Sequence, residues 1–289
     1  MKILKNKFGF FQLNPMPSSK FLKEYYSKKY YQKLKSSTYH NSYSSEELFL
    51  NTIDANITDL IFNTNSSLKT KNLFDLGCGE GYFMSEMKKI GWDIKGSDFS
   101  KNAILKHNPE LISSFISGDL LEILDNLNEK FSLLNLDNVL EHVLDPEILL
   151  QKCKKILNDD GIIRIEVPND CSDFQNLLSQ KGMSNDEYIV FPDHISYFNF
   201  ETLSNFLNQL NFDIIKIHGD FPIGIYQINK HSNYTINNST GIEAHNCRVE
   251  IMNFIYKNNG VHSMLKFLEG VYEANISRSC VFYIKPLKT

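Results

Sequence analysis

Residues 74–82, Phe74-Asp75-Leu76-Gly77-Cys78-Gly79-Glu80-Gly81-Tyr82, place three glycines at alternate positions behind an acid, where an apolar run gives way to a helical pattern. Glycine lets the backbone pass close to a ligand, and the N-terminus of the following helix offers unpaired N–H donors. A dinucleotide fingerprint, GxGxxG, needs glycine at position 82, which is Tyr82, so NAD and FAD are disfavoured. The tighter GxGxG spacing behind Asp75 suits a ligand with a cationic amino acid end rather than a pyrophosphate. Cys78 is expected to bring only its backbone near that ligand, without thiol chemistry. Met84 and Met87 fall on the buried face of the helix that follows.

Short apolar runs at 72–76, 92–96, 114–117, 131–136 and 162–167 alternate with helical segments, which implies βα units around a parallel sheet. The helix after the first run is expected over about 80–90, stopped by Gly91. Another, at about 145–157, has Pro146 in its first turn and ends before Asp160-Gly161. Upstream, a helix starts after Pro17-Ser18, and Ser44 with Glu47 forms a capping box for a helix running to about 62. Downstream, residues 169–198 read as a long irregular insertion. A helix at 201–210, a strand at 212–218, a polar stretch at 228–242, helices at about 243–257 and 261–274, and a final strand at 280–285 complete the chain.

These segments resemble class I S-adenosylmethionine-dependent methyltransferases of a small-molecule type, over about residues 71–219. After the second strand comes Gly96-Ser97-Asp98-Phe99-Ser100, and after the third Gly118-Asp119-Leu120. The fourth is followed by Asp137-Asn138-Val139-Leu140-Glu141-His142-Val143-Leu144-Asp145-Pro146, the fifth by Glu166-Val167-Pro168-Asn169, and later comes Asp193-His194-Ile195-Ser196-Tyr197-Phe198. The motifs fall at successive carboxyl ends of predicted parallel strands, where such sheets bind ligands.

The resemblance implies a Rossmann-like, seven-stranded, mostly parallel sheet with helices on both faces and an antiparallel last strand. Residues 1–65 would form a helical N-terminal lid. Residues 66–289 would form the methyltransferase domain, with substrate-side insertions at about 169–198 and 228–275. Asp75, Gly77, Cys78, Gly79 and Gly81 would hold the methionine end of S-adenosylmethionine. Asp98, with Phe99 beside it, would take the ribose, and Asp119 with Leu120 the adenine. Asn138 would lie near the sulfonium, and Tyr31 would close over the cofactor. Methyl transfer needs an aligned acceptor and a base. His142 and His194 are the candidates, with Glu141 able to accept the other ring proton of His142. Some relatives that methylate quinone precursors bind a metal through a glutamate three residues before the Glu-His pair. Asn138 stands there in this chain, so no metal is expected.

The lead segment, with Phe10, Phe11 and the pairs Tyr25-Tyr26 and Tyr30-Tyr31, resembles methyltransferases of bacterial surface-polysaccharide and nucleotide-sugar modification. The expected acceptor is therefore a hydroxyl of a phosphorylated or nucleotide-linked sugar, with C-methylation of a keto-sugar or O-methylation of a quinone precursor or phosphoryl group as alternatives. Of three arginines, Arg248 and Arg278, with His245, are candidates to grip a phosphate. A nucleic-acid or protein methyltransferase is disfavoured: the 289-residue chain has net charge −4, no basic stripe and no amino-methylation motif. A binding scaffold without catalysis would show eroded cofactor motifs, and these are intact. Five scattered cysteines without a CxxC pair, no apolar leader before Pro15 and no long apolar run point to a cytoplasmic protein without a membrane span.

Overall fold

The computed structural model describes residues 2–25, 43–184, 189, 191–237 and 239–287; Tyr31 lies outside them. Strands β3 (Asn72–Leu76), β4 (Asp93–Asp98), β5 (Phe115–Ser117), β6 (Phe131–Asp137), β7 (Leu157–Pro168), β9 (Phe212–Gly219) and β10 (Ser279–Pro286) form one seven-stranded sheet in the order β5-β4-β3-β6-β7-β10-β9. Pairing is parallel from β5 through β7, and β10 runs antiparallel to both its neighbours, β7 and β9. β6 is buried along almost its whole length, as a strand covered on both faces must be.

The side-chain period of two divides the sheet into two apolar faces. Leu73, Leu133, Ile162 and Val281 meet the long helices α2 (Ser45–Asn65) and α9 (Ser239–Glu273), with Ile53, Ile57, Ile61 and Met264 in that core. Phe74, Leu134, Ile163, Ile165 and Phe282 face the other way, onto Leu149, Leu150, Leu203 and Phe206 of α6 (Pro146–Ile156) and α8 (Phe200–Gln209). Local chemistry sets the helix starts: Ser44 and Glu47 close the expected capping box on α2, and Asp145 caps α6 ahead of Pro146. Met84 and Met87, on α3 (Tyr82–Lys89), are fully buried, as the helical spacing predicts.

The structure departs from expectation in two places, the lead segment and the 169–198 insertion. Residues 2–14 form a hairpin, β1 (Lys2–Lys5) with β2 (Phe11–Asn14), which pairs with β8 (Ser196–Tyr197) in a second, three-stranded sheet. The lead segment is therefore part hairpin and part helix, α1 (Ser19–Glu24), the latter starting at the expected Ser18 cap. The 169–198 insertion carries a helix, α7 (Asp173–Gln180), capped by Ser172. The two helices expected at about 243–257 and 261–274 are both present within α9, which breaks between them at Gly260, whose φ of 75° lies outside the helical region.

The hairpin is anchored by Phe10, with no exposed surface, its ring 4.4 Å from that of Phe198 and 5.1 Å from that of Phe206. Phe10→Ala should cost roughly 3–5 kcal/mol in chemical denaturation. By contrast Leu4→Ala, at a half-exposed position, should stay within about 0.5 kcal/mol.

Candidate active site

The carboxyl ends of β3, β4 and β6 open into a cavity of about 430 Å³, lined by the glycine loop, Ser97, Asp98, Phe99, Asp119, Leu120, Asn135, Asp137, Asn138 and His142, with Ser19 and Leu22 from α1 and Asn51 from α2. The volume lies within the roughly 300–1,000 Å³ usual for cofactor and ligand pockets. At one end the loop is tied to the adjacent strand: the Gly77 and Cys78 N–H groups both donate to the Ser97 carbonyl, at 2.8 and 2.9 Å. Gly77 has φ 80°, and a Cβ there would meet Val139 Cγ2 at 2.6 Å. Burial pushes the Cys78 thiol far up, which keeps it protonated and leaves the residue a backbone role.

Asp98 ends β4 facing the loop, its carboxylate accepting from Gly79 N at 3.1 Å and Ser100 N at 3.3 Å. Asp119 caps α5 (Leu120–Asn126), accepting from Leu121 N and Glu122 N, and also lines the cavity with Leu120. The Ser97 hydroxyl is buried without a hydrogen-bond partner and lines the same space. An acid on the cavity wall, a glycine-lined backbone and an orphaned hydroxyl suit a ligand with both a polar sugar and an amino acid end, so the residues expected to hold S-adenosylmethionine fit that group. Burial pushes Asp75 up to about 7, partly offset by a 2.7 Å hydrogen bond from Asn135 Nδ2.

At the other end, β6 runs into a short 3₁₀ turn, Leu140–His142. Asn138 has φ 51°, a left-handed conformation that asparagine tolerates well, and its side-chain amide donates to Asp137 at 2.7 Å. The amide at this position thus has a conformational reason. His142 Nδ1 lies 2.5 Å from the Asp193 main-chain oxygen. A carbonyl can only accept, which assigns the proton to Nδ1 and the lone pair to Nε2. The ring-proton acceptor is therefore Asp193 O rather than the expected Glu141, whose Oε1 is 3.7 Å from His142 Nε2. Burial lowers the pKa of His142 despite Asp193, and holds His194 down at about 3, with help from His142 and Arg278.

His194 stands with its ring 5.0 Å from that of His142. Glu141 is 1% exposed, neither carboxyl oxygen has a hydrogen-bond partner, and burial raises its pKa well above the usual range. One ligand atom from each of Glu141, His142 and His194 lies within 4.8 Å of the others, a trio that can share a proton or coordinate a divalent ion. The Asn138 position alone gives no hint of it.

The three candidates for gripping a phosphate each face a different carboxylate. His245 meets Glu47 at 3.1 Å, Arg248 meets Asp220 at 3.3 Å, and Arg278 meets Asp170 at 3.3 Å. Unforeseen from the sequence is a buried row across the sheet, in which Arg164 on β7 donates to Asn135 at 2.9 Å and to Glu166 at 2.5 Å. Asp54, Asp137, Asp220 and Arg248 surround it electrostatically. The rarity of arginine singles out Arg164, but its partners depend on strand order.

A mostly parallel sheet with an antiparallel β10 and a glycine-loop cavity at its carboxyl edge defines a Rossmann-like methyltransferase fold. The chain belongs to the methyltransferase domain family, which matches residues 49–217. A ubiquinone biosynthesis O-methyltransferase of Glaesserella parasuis is 30% identical over 118 residues, 38% of this chain and 50% of that protein; the chain spans about half the length of the curated relatives it matches. The fold is shared with a SAM-dependent methyltransferase from Archaeoglobus fulgidus (TM-score 0.52, 20% identity, covering 93% of this chain and all of that one). It is shared also with the plantazolicin methyltransferase BamL, crystallised in complex with a triazolic desmethylPZN analog and SAH (TM-score 0.58, 14% identity, 93% and 95% covered).

If Asp98 holds the ribose, Asp98→Ala should weaken S-adenosylhomocysteine binding in calorimetry by roughly 10- to 100-fold, the worth of hydrogen bonds to a charged group. Unchanged affinity would remove Asp98 from the site.

Proposed function

We propose that this chain transfers the methyl group of S-adenosylmethionine to a hydroxyl of a small-molecule acceptor, with His142 as the general base. The observation that carries the reading is that one cavity joins the glycine loop and Asp98 to His142. When bound, S-adenosylmethionine supplies a methyl group activated by a sulfonium. Asp75 and the loop hold its amino acid end, Asp98 its ribose, and Asp119 with Leu120 its adenine. Asn138 and Asp137 line the space between that site and His142. His142 Nε2 takes the acceptor's hydroxyl proton, and the Asp193 carbonyl, accepting from Nδ1–H, stabilises the imidazolium that results. His194, neutral at working pH, packs edge-on against the His142 ring and does not itself line the cavity.

The acceptor we infer is a sugar hydroxyl on a phosphorylated or nucleotide-linked sugar, methylated in the cytoplasm during surface-polysaccharide synthesis. Support comes from Asp137, a carboxyl on the cavity wall suited to a sugar hydroxyl, and from the charge cluster it shares with Asp54, Glu166, Asp220 and Arg248, whose Nε is a buried donor without a partner. All five cysteines are free thiols, in keeping with a reducing compartment, and among the described residues no helix is long and apolar enough to cross a membrane. A second reading, O-methylation of a quinone precursor, is favoured by the relatives named for ubiquinone biosynthesis. The base chemistry is common to both, so a product-mass screen over nucleotide-sugars, sugar phosphates and catechols decides between them, and fragmentation of the product separates O- from C-methylation.

His142→Gln should lower kcat roughly 10²- to 10⁴-fold while sparing S-adenosylhomocysteine affinity; an unchanged kcat would dismiss His142 as the base. A base works deprotonated, and burial holds His142 below the ordinary imidazole value of 6.5. Activity should therefore be flat above neutrality and fall only as acid protonates the ring. With a phosphorylated acceptor, Arg248→Ala should raise KM by roughly tenfold or more, and with its neutral counterpart far less.

A further inference from the structure

We propose that Tyr25 is a positioning residue for methyl transfer: through the carboxylate of Asp193 it holds the main-chain carbonyl that fixes the His142 ring. The inference rests on the reading of His142 as the base. Tyr25 follows α1 and is 4% exposed. Its hydroxyl donates to Asp193 Oδ1, and the carbonyl of the same Asp193 accepts from His142 Nδ1 at 2.5 Å. One residue thus carries both contacts, its side chain pinned from the N-terminal segment and its backbone directed at the imidazole.

The surroundings leave residue 193 little freedom to find another arrangement. Leu22, one turn before Tyr25, packs with Leu13, Ile195 and Tyr197 and also lines the cavity. Phe21 stacks on Phe191 with ring centroids 6.1 Å apart. Two residues past Asp193, Ile195 N donates to the Glu141 carbonyl at 2.9 Å, while the Ile195 carbonyl accepts from Leu13 N at 3.0 Å. The 193–195 backbone is therefore clamped between the N-terminal segment and the turn that bears His142. Burial, reinforced by Asp193, pushes the Tyr25 hydroxyl up, so it stays a proton donor wherever the enzyme works.

An imidazole that can donate Nδ1–H to a fixed carbonyl keeps Nε2 as its lone pair; when that carbonyl is released, the two neutral tautomers compete and only one is a base toward the cavity. A residue outside the matched 49–217 region thus sets the proton on the base inside it. Ser19 and Leu22 wall the cavity from the same helix, so the element that covers the cavity also orients the base.

The test is nitrogen NMR of the full chain labelled in histidine, with His142 assigned by its loss in His142→Gln, alongside calorimetry with S-adenosylhomocysteine. In the wild type, His142 should be predominantly the Nδ1–H tautomer. Tyr25→Phe should raise the Nε2–H fraction and lower turnover of the acceptor found by the product screen roughly tenfold, with KM and S-adenosylhomocysteine affinity nearly unchanged. Asp193→Asn keeps an oxygen for the Tyr25 hydroxyl and should restore the wild-type tautomer. Should Tyr25→Phe not fold, Asp193→Ala breaks the same link from the other end while keeping the carbonyl, and should shift the tautomer likewise. A wild-type tautomer in Tyr25→Phe, or in Asp193→Ala where the former does not fold, overturns the inference. Failure of the wild type to bind S-adenosylhomocysteine overturns the functional reading instead, and the tautomer measurement, which needs no turnover, still decides the link.

Discussion

The guanidinium of Arg164, buried in the middle of the sheet, is the constraint on which the rest of this structure turns. The register sets Asp75 beside Asn135 and Asn135 beside Arg164, and on the other side Arg164 faces Tyr283. These four residues therefore form a row across β3, β6, β7 and β10, on the face covered by α2. Asn135 gives its amide N–H to Asp75 and its oxygen to Arg164, while Thr58 of α2 meets the Tyr283 hydroxyl at 3.1 Å. A buried charge is costly unless its donors are used, and breaking such a pair is costlier than never having made it. Slippage of any one strand would strand a charge, so the row favours a single register.

That row also divides the labour of the site. Its Asp75 end meets the glycine loop, where the cavity is shaped by backbone and by the Asp98 carboxylate. Its Arg164 end is ringed by Glu166, Asp137 and Asp54. Burial and Asp137 push Glu166 up to about 8 against the pull of Arg164, and burial raises Asp54 to about 6. This end can thus retain protons that a surface carboxyl would lose. The histidine end is built separately, from the turn after β6 and the 191–197 loop, with the N-terminal hairpin and α1 holding that loop in place.

What the sequence shows and what it hides follow from separation along the chain. The glycine loop, Asp98 and Asp119 are local: each sits where a strand stops and a helix begins, and the residues around it announce that change. The same holds for Ser44-Glu47 and for Asp145-Pro146, whose capping chemistry spans a few positions. The polar row is hidden, because Asn135 in an apolar run and Arg164 in another look like unrelated interruptions until strand order makes them neighbours. The partner of His142 is hidden for a further reason. Glu141 is adjacent in sequence, but the turn buries its carboxyl without a hydrogen-bond partner, and the carbonyl of a distant residue takes the bond. The hairpin is missed because its strands are four residues each and find their third partner in β8.

The insertion of Phe10 between Phe198 and Phe206 sets an order of events during synthesis. Gln12 and Ser196, which hydrogen-bond across the small sheet, are 184 positions apart. At a translation rate of roughly 5–20 residues per second, the first hairpin waits about 10–40 s for the surface it will cover. For that interval its aromatic side chain has no native place to go, and the hairpin, too short to stand alone in water, cannot seed folding. The hairpin, made long before the surface it covers, is thus among the last elements to dock, and the histidine loop is braced only after the parallel core already stands.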